Sequence, residues 1–221
     1  HSTSLHPTHL TPSLPLSPPT LQRNYHIFYY LTTGTTPDLR ESLKMTGAFK
    51  YLSSEVDNRG QDPGGAFVEV KEAMTSIGFD TMELHWVWTL CATVLKLGNV
   101  SFGSGEEAAI VDPSVVTEIA KMLRCDGSAL TNALSTRRIK AGSDWITSPV
   151  SPEVAENVRD GLSKAMYQRV FSWMVMRINA NLAIMTSQDD GLSRARFFIG
   201  ILDIFGFEIF DINSLEQLCI N

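Results

Sequence analysis

Apolar residues recur at helical spacing along much of this chain, and glycine or proline punctuates the ends of each run. Val70, Ala73, Met74 and Ile77 fall at i, i+3, i+4 and i+7, one face of a helix, with Gly78 placed to stop it. Val87, Leu90, Cys91 and Val94 repeat the pattern and end near Gly98. Asp112-Pro113 reads as an N-cap followed by proline at the first helical position, ahead of Val116, Ile119, Ala120 and Leu123. Pro152 opens the longest predicted helix, which runs to about Leu182 and spans on the order of 45 Å. Leu162, Met166, Val170, Trp173 and Met174 supply one apolar stripe, and Phe171, Val175, Ile178 and Leu182 another. A helix apolar over so wide an arc is expected to be surrounded by protein.

Two segments break the helical period. Ser135 to Thr147 sets Ile139 among Arg137, Arg138 and Lys140, then runs through Gly142-Ser143-Asp144 into Trp145-Ile146-Thr147. That reads as a hairpin with a polar tip, and for each cation alone a solvated surface position is the competing reading. Phe197 to Leu202 is a continuous apolar run that ends in Asp203, with Gly206 and Glu208 following. Buried parallel strands read this way, and a carboxylate at the carboxyl end of one lies where open α/β sheets place ligands. Asp, then Gly three residues on, is the pattern of a Walker-B-like phosphate sensor. By itself that pattern is weak, and a buried strand whose Asp caps the next turn is the preferred reading of those residues alone. Asn213-Ser214-Leu215-Glu216 then reads as an N-cap with Glu at N3, which starts a helix at Ser214. The strand at 197–203 has no obvious parallel partner inside the chain. The polar stretches Glu55–Gly65 and Thr186–Arg194 are expected surface loops.

Composition narrows the classes. With 43% hydrophobic residues the chain can bury a sizeable core of one or two domains, and a net charge of −6 argues against a nucleic-acid or anionic-lipid binder. Cys91, Cys125 and Cys219 have no metal or redox spacing and read as buried free thiols in a reducing compartment. No apolar run reaches the roughly 20 residues of a membrane helix, so the expectation is a cytoplasmic protein. Five of the chain's 10 prolines lie in residues 1–20, which carry no acidic, Lys or Arg residue and no Phe, Tyr or Trp. Residues 1–21 are therefore expected to be a disordered low-complexity segment, or one wrongly joined to the product. The chain opens on His1 and stops inside an expected helix, so both ends are read as internal cuts. Helical spacing makes core packing the expectation for His26, Tyr25, Phe28, Tyr29, Tyr30, Trp86, Trp88 and Trp173. His1, His6, His9 and His85 form no metal set with carboxylates.

A longer match adds to this. Residues 200–221, Gly-Ile-Leu-Asp-Ile-Phe-Gly-Phe-Glu-Ile-Phe-Asp-Ile-Asn-Ser-Leu-Glu-Gln-Leu-Cys-Ile-Asn, closely resemble switch II and the start of the relay helix of myosin motors, with Leu215 where that family usually has Phe. Arg23 to Leu31, Leu95 to Phe102 (with Lys96 replacing a His) and Arg159 to Asn179 resemble further blocks of the same family. Residues 22–221 are thus similar to an internal piece of a myosin heavy chain, a partial motor domain. The fold class implied is α/β, predominantly helical here, of the P-loop NTPase type, with one central-sheet strand at about 197–203 and long packed helices.

The resemblance implies ATP and Mg²⁺ as the cofactors of the complete motor. Switch II would be Asp203, Ile204, Phe205, Gly206, Phe207 and Glu208. Of these, Asp203 would contact the Mg²⁺ water shell, Gly206 would donate its N–H to the γ-phosphate, and Glu208 would pair with an arginine of switch I to position the attacking water. The hairpin is similar to a myosin surface loop that touches actin. Arg137, Arg138 and Lys140 would steer the acidic filament, and Asp144 would supply a permanent negative charge where relatives carry an acidic or phosphorylatable residue. Implied partners are the actin filament, the remainder of the heavy chain, and light chains or calmodulin only through a neck outside this segment, with no nucleic acid or membrane. The sequence holds no Gly-x-x-x-x-Gly-Lys-Ser/Thr and no switch I, so this polypeptide alone is expected neither to bind ATP tightly nor to hydrolyse it. Two other readings stay open: a catalytically silent actin-interaction or structural module, and a different nucleotide switch such as a GTPase.

Overall fold

The computed structural model describes residues 24–52 and 63–187. In chain order these form α1 (His26–Gly34), α2 (Pro37–Ser42), α3 (Pro63–Ile77), α4 (Thr81–Gly98), α5 (Pro113–Leu123), α6 (Gly127–Ser135), β1 (Thr136–Ala141), β2 (Asp144–Pro149) and α7 (Pro152–Ser187). The described residues are mostly helical, with one small antiparallel sheet of β1 and β2.

Helix α4 is the centre of the packing. It starts on a capping box, Asp80 accepting from the Glu83 N–H while Glu83 accepts from the Asp80 N–H. From Cys91 to Gly98 every residue is buried, as a helix enclosed on all sides must be. The charge in that stretch, Lys96, is neutralised by Glu118 of α5, whose Oε2 accepts from Nζ at 2.7 Å. A buried ammonium without a partner would cost several kcal/mol, so this pair fixes how α5 lies on α4.

Two apolar clusters meet along α4. One gathers Phe28 and Leu31 of α1, Phe67 and Met74 of α3, Trp88 and Cys91 of α4, and Val170 of α7. The other joins Leu97 and Val100 to Val116, Ile119, Leu130 and Leu134 of α5 and α6. Beside them lies a polar knot. Tyr51 donates its hydroxyl to Asp160 Oδ1 at 2.5 Å and lies 3.2 Å from Ser163 Oγ. Arg159 Nε meets the same Oδ1 at 2.7 Å, and its Nη1 donates to the Val100 carbonyl at 2.7 Å. Burial, reinforced by the Asp160 carboxylate, pushes the Tyr51 phenol up to about 12. Burial opposes the Arg159 charge, yet Asp160, together with Tyr51 and Glu156, holds the guanidinium above its ordinary value.

Three helix ends share one device. Gly78 (φ +100) closes α3, its N–H bonding the Thr75 carbonyl while Phe79 N–H reaches Met74. The same pair of bonds ends α2 at Lys44 (Lys44 to Glu41, Met45 to Arg40) and α5 at Arg124 (Arg124 to Lys121, Cys125 to Ala120). There the left-handed residue is not glycine, with φ +52 at Lys44 and +55 at Arg124. A side chain in that region costs roughly 1 kcal/mol.

Several expectations need correction. The long helix reaches Ser187 rather than about Leu182, so Thr186 and Ser187 are helical and not loop. Pro63, Gly64 and Gly65 likewise open α3 instead of belonging to the preceding loop. Ala73 is exposed, the buried side of α3 being set by Phe67 and Met74. The second stripe of α7 packs only in part: Ile178 lies against the first cluster, but Phe171 is 42% exposed and neighbouring Met176 63%, so the described residues do not surround the helix. His26 and Trp86 are exposed, not core. Cys91 is buried and its thiol is pushed up to about 12 by burial, but Cys125 is exposed. Cys219 lies outside the described residues, as do the low-complexity segment 1–21, the strand 197–203, the helix start at Ser214 and the rest of the two expected loops.

Candidate functional site

The hairpin joins α6 to α7, and its base is held firmly. Ser135, the last residue of α6, accepts from the Val150 N–H at 3.0 Å, Val150 is buried, and its own carbonyl accepts from Ala108 N–H at 2.7 Å. Ser151 then begins α7 by accepting from Ala155 N–H at 2.9 Å. From this base β1 and β2 pair in register from Thr136↔Pro149 to Ala141↔Asp144, leaving Gly142 and Ser143 as the loop. Gly142 has φ +64, the positive value a two-residue hairpin loop needs at its first position.

That register sorts the side chains onto two faces. Arg138 and Lys140 share one with Trp145 and Thr147; Arg137 and Ile139 share the other with Ile146 and Ser148. On the first face the Arg138 guanidinium lies 5.1 Å from the centre of the Trp145 ring, a diagonal cation–π pair. On the second, Ile139 is directly opposite Ile146. Arg137, Arg138, Lys140 and Asp144 are all exposed, and so are Trp145 (58%), Ile146 (54%) and Ile139 (42%). Asp144 closes the loop, its Oδ1 3.4 Å from Ser143 Oγ. An isolated two-stranded ribbon is marginally stable, so these cross-strand pairs and the fixed base are what hold it. The ribbon thus presents exposed apolar side chains on both faces, fringed by cations.

The hairpin and its four proposed contact residues therefore stand together as the sequence placed them. The stacking of Arg138 on Trp145 was not anticipated, although two residues on either side of the loop pair could have signalled it. The other candidate set, Asp203, Ile204, Phe205, Gly206, Phe207 and Glu208, lies outside the described residues. Among the described residues no three His, Cys, Asp or Glu side chains gather as a metal site, and no helix is long and apolar enough to cross a membrane.

Comparison with known proteins decides the kinship. The family model for the myosin head (motor domain) matches residues 17–221. This chain belongs to the myosin motor family. It is 38% identical to unconventional myosin IC of Drosophila melanogaster over 206 residues and 39% identical to Myosin-1 of Arabidopsis thaliana over 207. It is also 35% identical to unconventional myosin-Ia of Mus musculus over 210 residues. Each match covers 90% of this chain but only 20%, 17% and 20% of the relative, so the chain spans about a fifth of their length. An unrelated GTPase is thereby set aside. As a myosin segment, the chain carries the helical body just described, and the run from Gly200 to Asn221 falls within the matched region.

Proposed function

We propose that this chain is the part of an ATP-driven, actin-based cytoplasmic motor that carries an actin-contacting hairpin and, beyond α7, the phosphate-sensing switch. The observation that carries the first half is the hairpin itself. Three cations and four large or β-branched side chains project from a ribbon whose base is pinned at Ser135 and Val150. Actin is acidic, so Arg137, Arg138 and Lys140 steer encounter, while the apolar side chains supply the desolvated contact. The second half rests on the sequence of residues 203–208. Bound Mg²⁺ would neutralise phosphate charge; this chain offers Asp203 to its water shell, the Gly206 N–H to the terminal phosphate, and Glu208 to an arginine elsewhere in the heavy chain. The helix starting at Ser214 would carry a displacement of that switch onward as a rigid rod. Partners of the complete protein are then the actin filament and the rest of the heavy chain, with light chains or calmodulin joining through its neck.

The test uses the complete heavy chain that contains this segment. Changing Arg137, Arg138 and Lys140 together to Glu is expected to weaken actin co-sedimentation by about tenfold or more at low salt, and by less as salt rises. ATP turnover without actin should not change. Affinity that survives the triple reversal would remove the hairpin from the interface. In the same protein Asp144→Ala is expected to lower actin-activated turnover severalfold and Asp144→Glu to preserve it; equal rates for all three would show that the charge at the hairpin tip is irrelevant.

A further inference from the structure

A groove of about 940 Å³ lies between the N-terminal half of α4, the length of α5 and the turn that ends α2. Leu90, Met122 and Leu123 give it an apolar lining, and Trp86, 53% exposed, stands on its wall. Lys44, Lys121 and Arg124 line it as well. The carboxylate among its lining residues, Glu118, is already neutralised by Lys96 at 2.7 Å. In a chain of net charge −6, this surface is positive.

Two of those cations occupy positions that glycine would fill with less strain. Lys44 and Arg124 are the left-handed residues that end α2 and α5, with φ of +52 and +55, and α3 meets the same geometric demand with Gly78. Glycine adopts such a φ freely, and a side chain there is held against its own preference. Strain of this kind gathers where a side chain is wanted for binding. The exposed tryptophan is independent support. An indole left half in water beside cations is the composition of an interface anchor, rich in Trp and Arg.

We propose that this groove docks an acidic peptide segment of a partner protein. Its carboxylates would face Lys44, Lys121 and Arg124, and one or two apolar side chains would pack on Trp86 and Leu90. A peptide fits better than a small anion, because the lining mixes spaced cations from two elements with an apolar floor at the upper end of small-molecule cavity size. The groove's lining shares no residue with the hairpin or with residues 203–208, so the proposal neither requires nor contradicts the motor function.

The experiment measures fluorescence anisotropy of a fluorescein-labelled 12-residue peptide of Glu, Leu and Phe on the 221-residue chain, with a Lys-for-Glu counterpart as control. The acidic peptide is expected to bind and to weaken with salt; the basic one is not. Lys44→Gly with Arg124→Gly should cut affinity tenfold or more while the urea midpoint stays level or rises, since glycine relieves both helix ends. A purely structural role for the two residues would lower the midpoint instead. Lys121→Glu and Trp86→Ala, both at exposed positions, should weaken binding in their own right. Unchanged affinity in the double glycine variant overturns the proposal. So does direct binding of inorganic pyrophosphate or phosphatidylserine vesicles with no binding of the acidic peptide, which would identify a phosphate site.

Discussion

Gly98→Ala is expected to destabilise the folded chain by about 2–3 kcal/mol, although alanine is ordinarily the better helix former. A Cβ on Gly98 would lie 2.7, 2.8 and 2.9 Å from Cδ2, Cγ and Cε2 of the Tyr51 ring, well inside van der Waals contact. The obstruction is the face of a ring, not the tip of a flexible chain, and the ring is held at both ends. Its hydroxyl is engaged by Asp160 and Ser163, and the Tyr51 carbonyl accepts from Asn24 Nδ2 at 3.1 Å. Relief therefore requires moving α4 away from α7 or breaking the knot, and either opens a fully buried region. Gly161 supplies the control. It is exposed on α7 with nothing within 4 Å of an added Cβ, so Gly161→Ala should raise stability by about 0.5–1 kcal/mol. Urea unfolding of both variants decides the matter. If Gly98→Ala shifts the midpoint upward as Gly161→Ala does, Tyr51 is not where the packing puts it.

The elements legible in the sequence are those whose own residues carry the signal. α3, α4, α5 and α7 each repeat apolar residues at helical spacing and begin or end on a cap or a glycine, so local chemistry suffices. α2 and α6 escaped because they are short, with 6 and 9 residues, and announce themselves only through caps. Thr36 accepts from Leu39 N–H ahead of Pro37, and Asp126 accepts from Ala129 N–H ahead of Gly127. Trp86 was misread for a related reason. Leu84, Val87, Trp88 and Cys91 turn inward, and Trp86 projects off that face at a point where α4 is not yet enclosed. Spacing gives the period of a helix but not how many of its sides are covered.

The candidate site divides along the same line. The hairpin could be read because strand alternation and a Gly-Ser loop are local features, and the register then followed from the loop length. What no local pattern could give is the set of contacts that join distant segments. Tyr51 and Asp160 are 109 residues apart, and Arg159 reaches a carbonyl 59 residues away. Lys96 is instructive here: as a bare sequence it is a charge interrupting an apolar run, and only Glu118, 22 residues on, makes its burial tolerable.

Arg159→Met is the second change expected to have a large effect, roughly 3 kcal/mol or more of lost stability. The side chain is 3% exposed and does two things at once. It neutralises Asp160, whose side chain is only 13% exposed, and it satisfies the Val100 carbonyl just beyond α4. Methionine keeps much of the volume and none of the hydrogen bonds, so the Val100 carbonyl loses this donor and the Asp160 carboxylate loses its counter-charge, keeping the Tyr51 hydroxyl. The cost comes chiefly from those stranded groups and not from the pair's intrinsic strength, because two buried charges repay their desolvation only when they meet. A second variant separates these causes. Adding Asp160→Asn to Arg159→Met removes the stranded charge while still offering Tyr51 an acceptor, and should recover at least ~1 kcal/mol relative to the single change. Full additivity of the two losses in urea unfolding would mean that Arg159 and Asp160 act independently. The knot would then not be what fixes α7, and with it the departure point of the chain toward Asp203, against the end of α4.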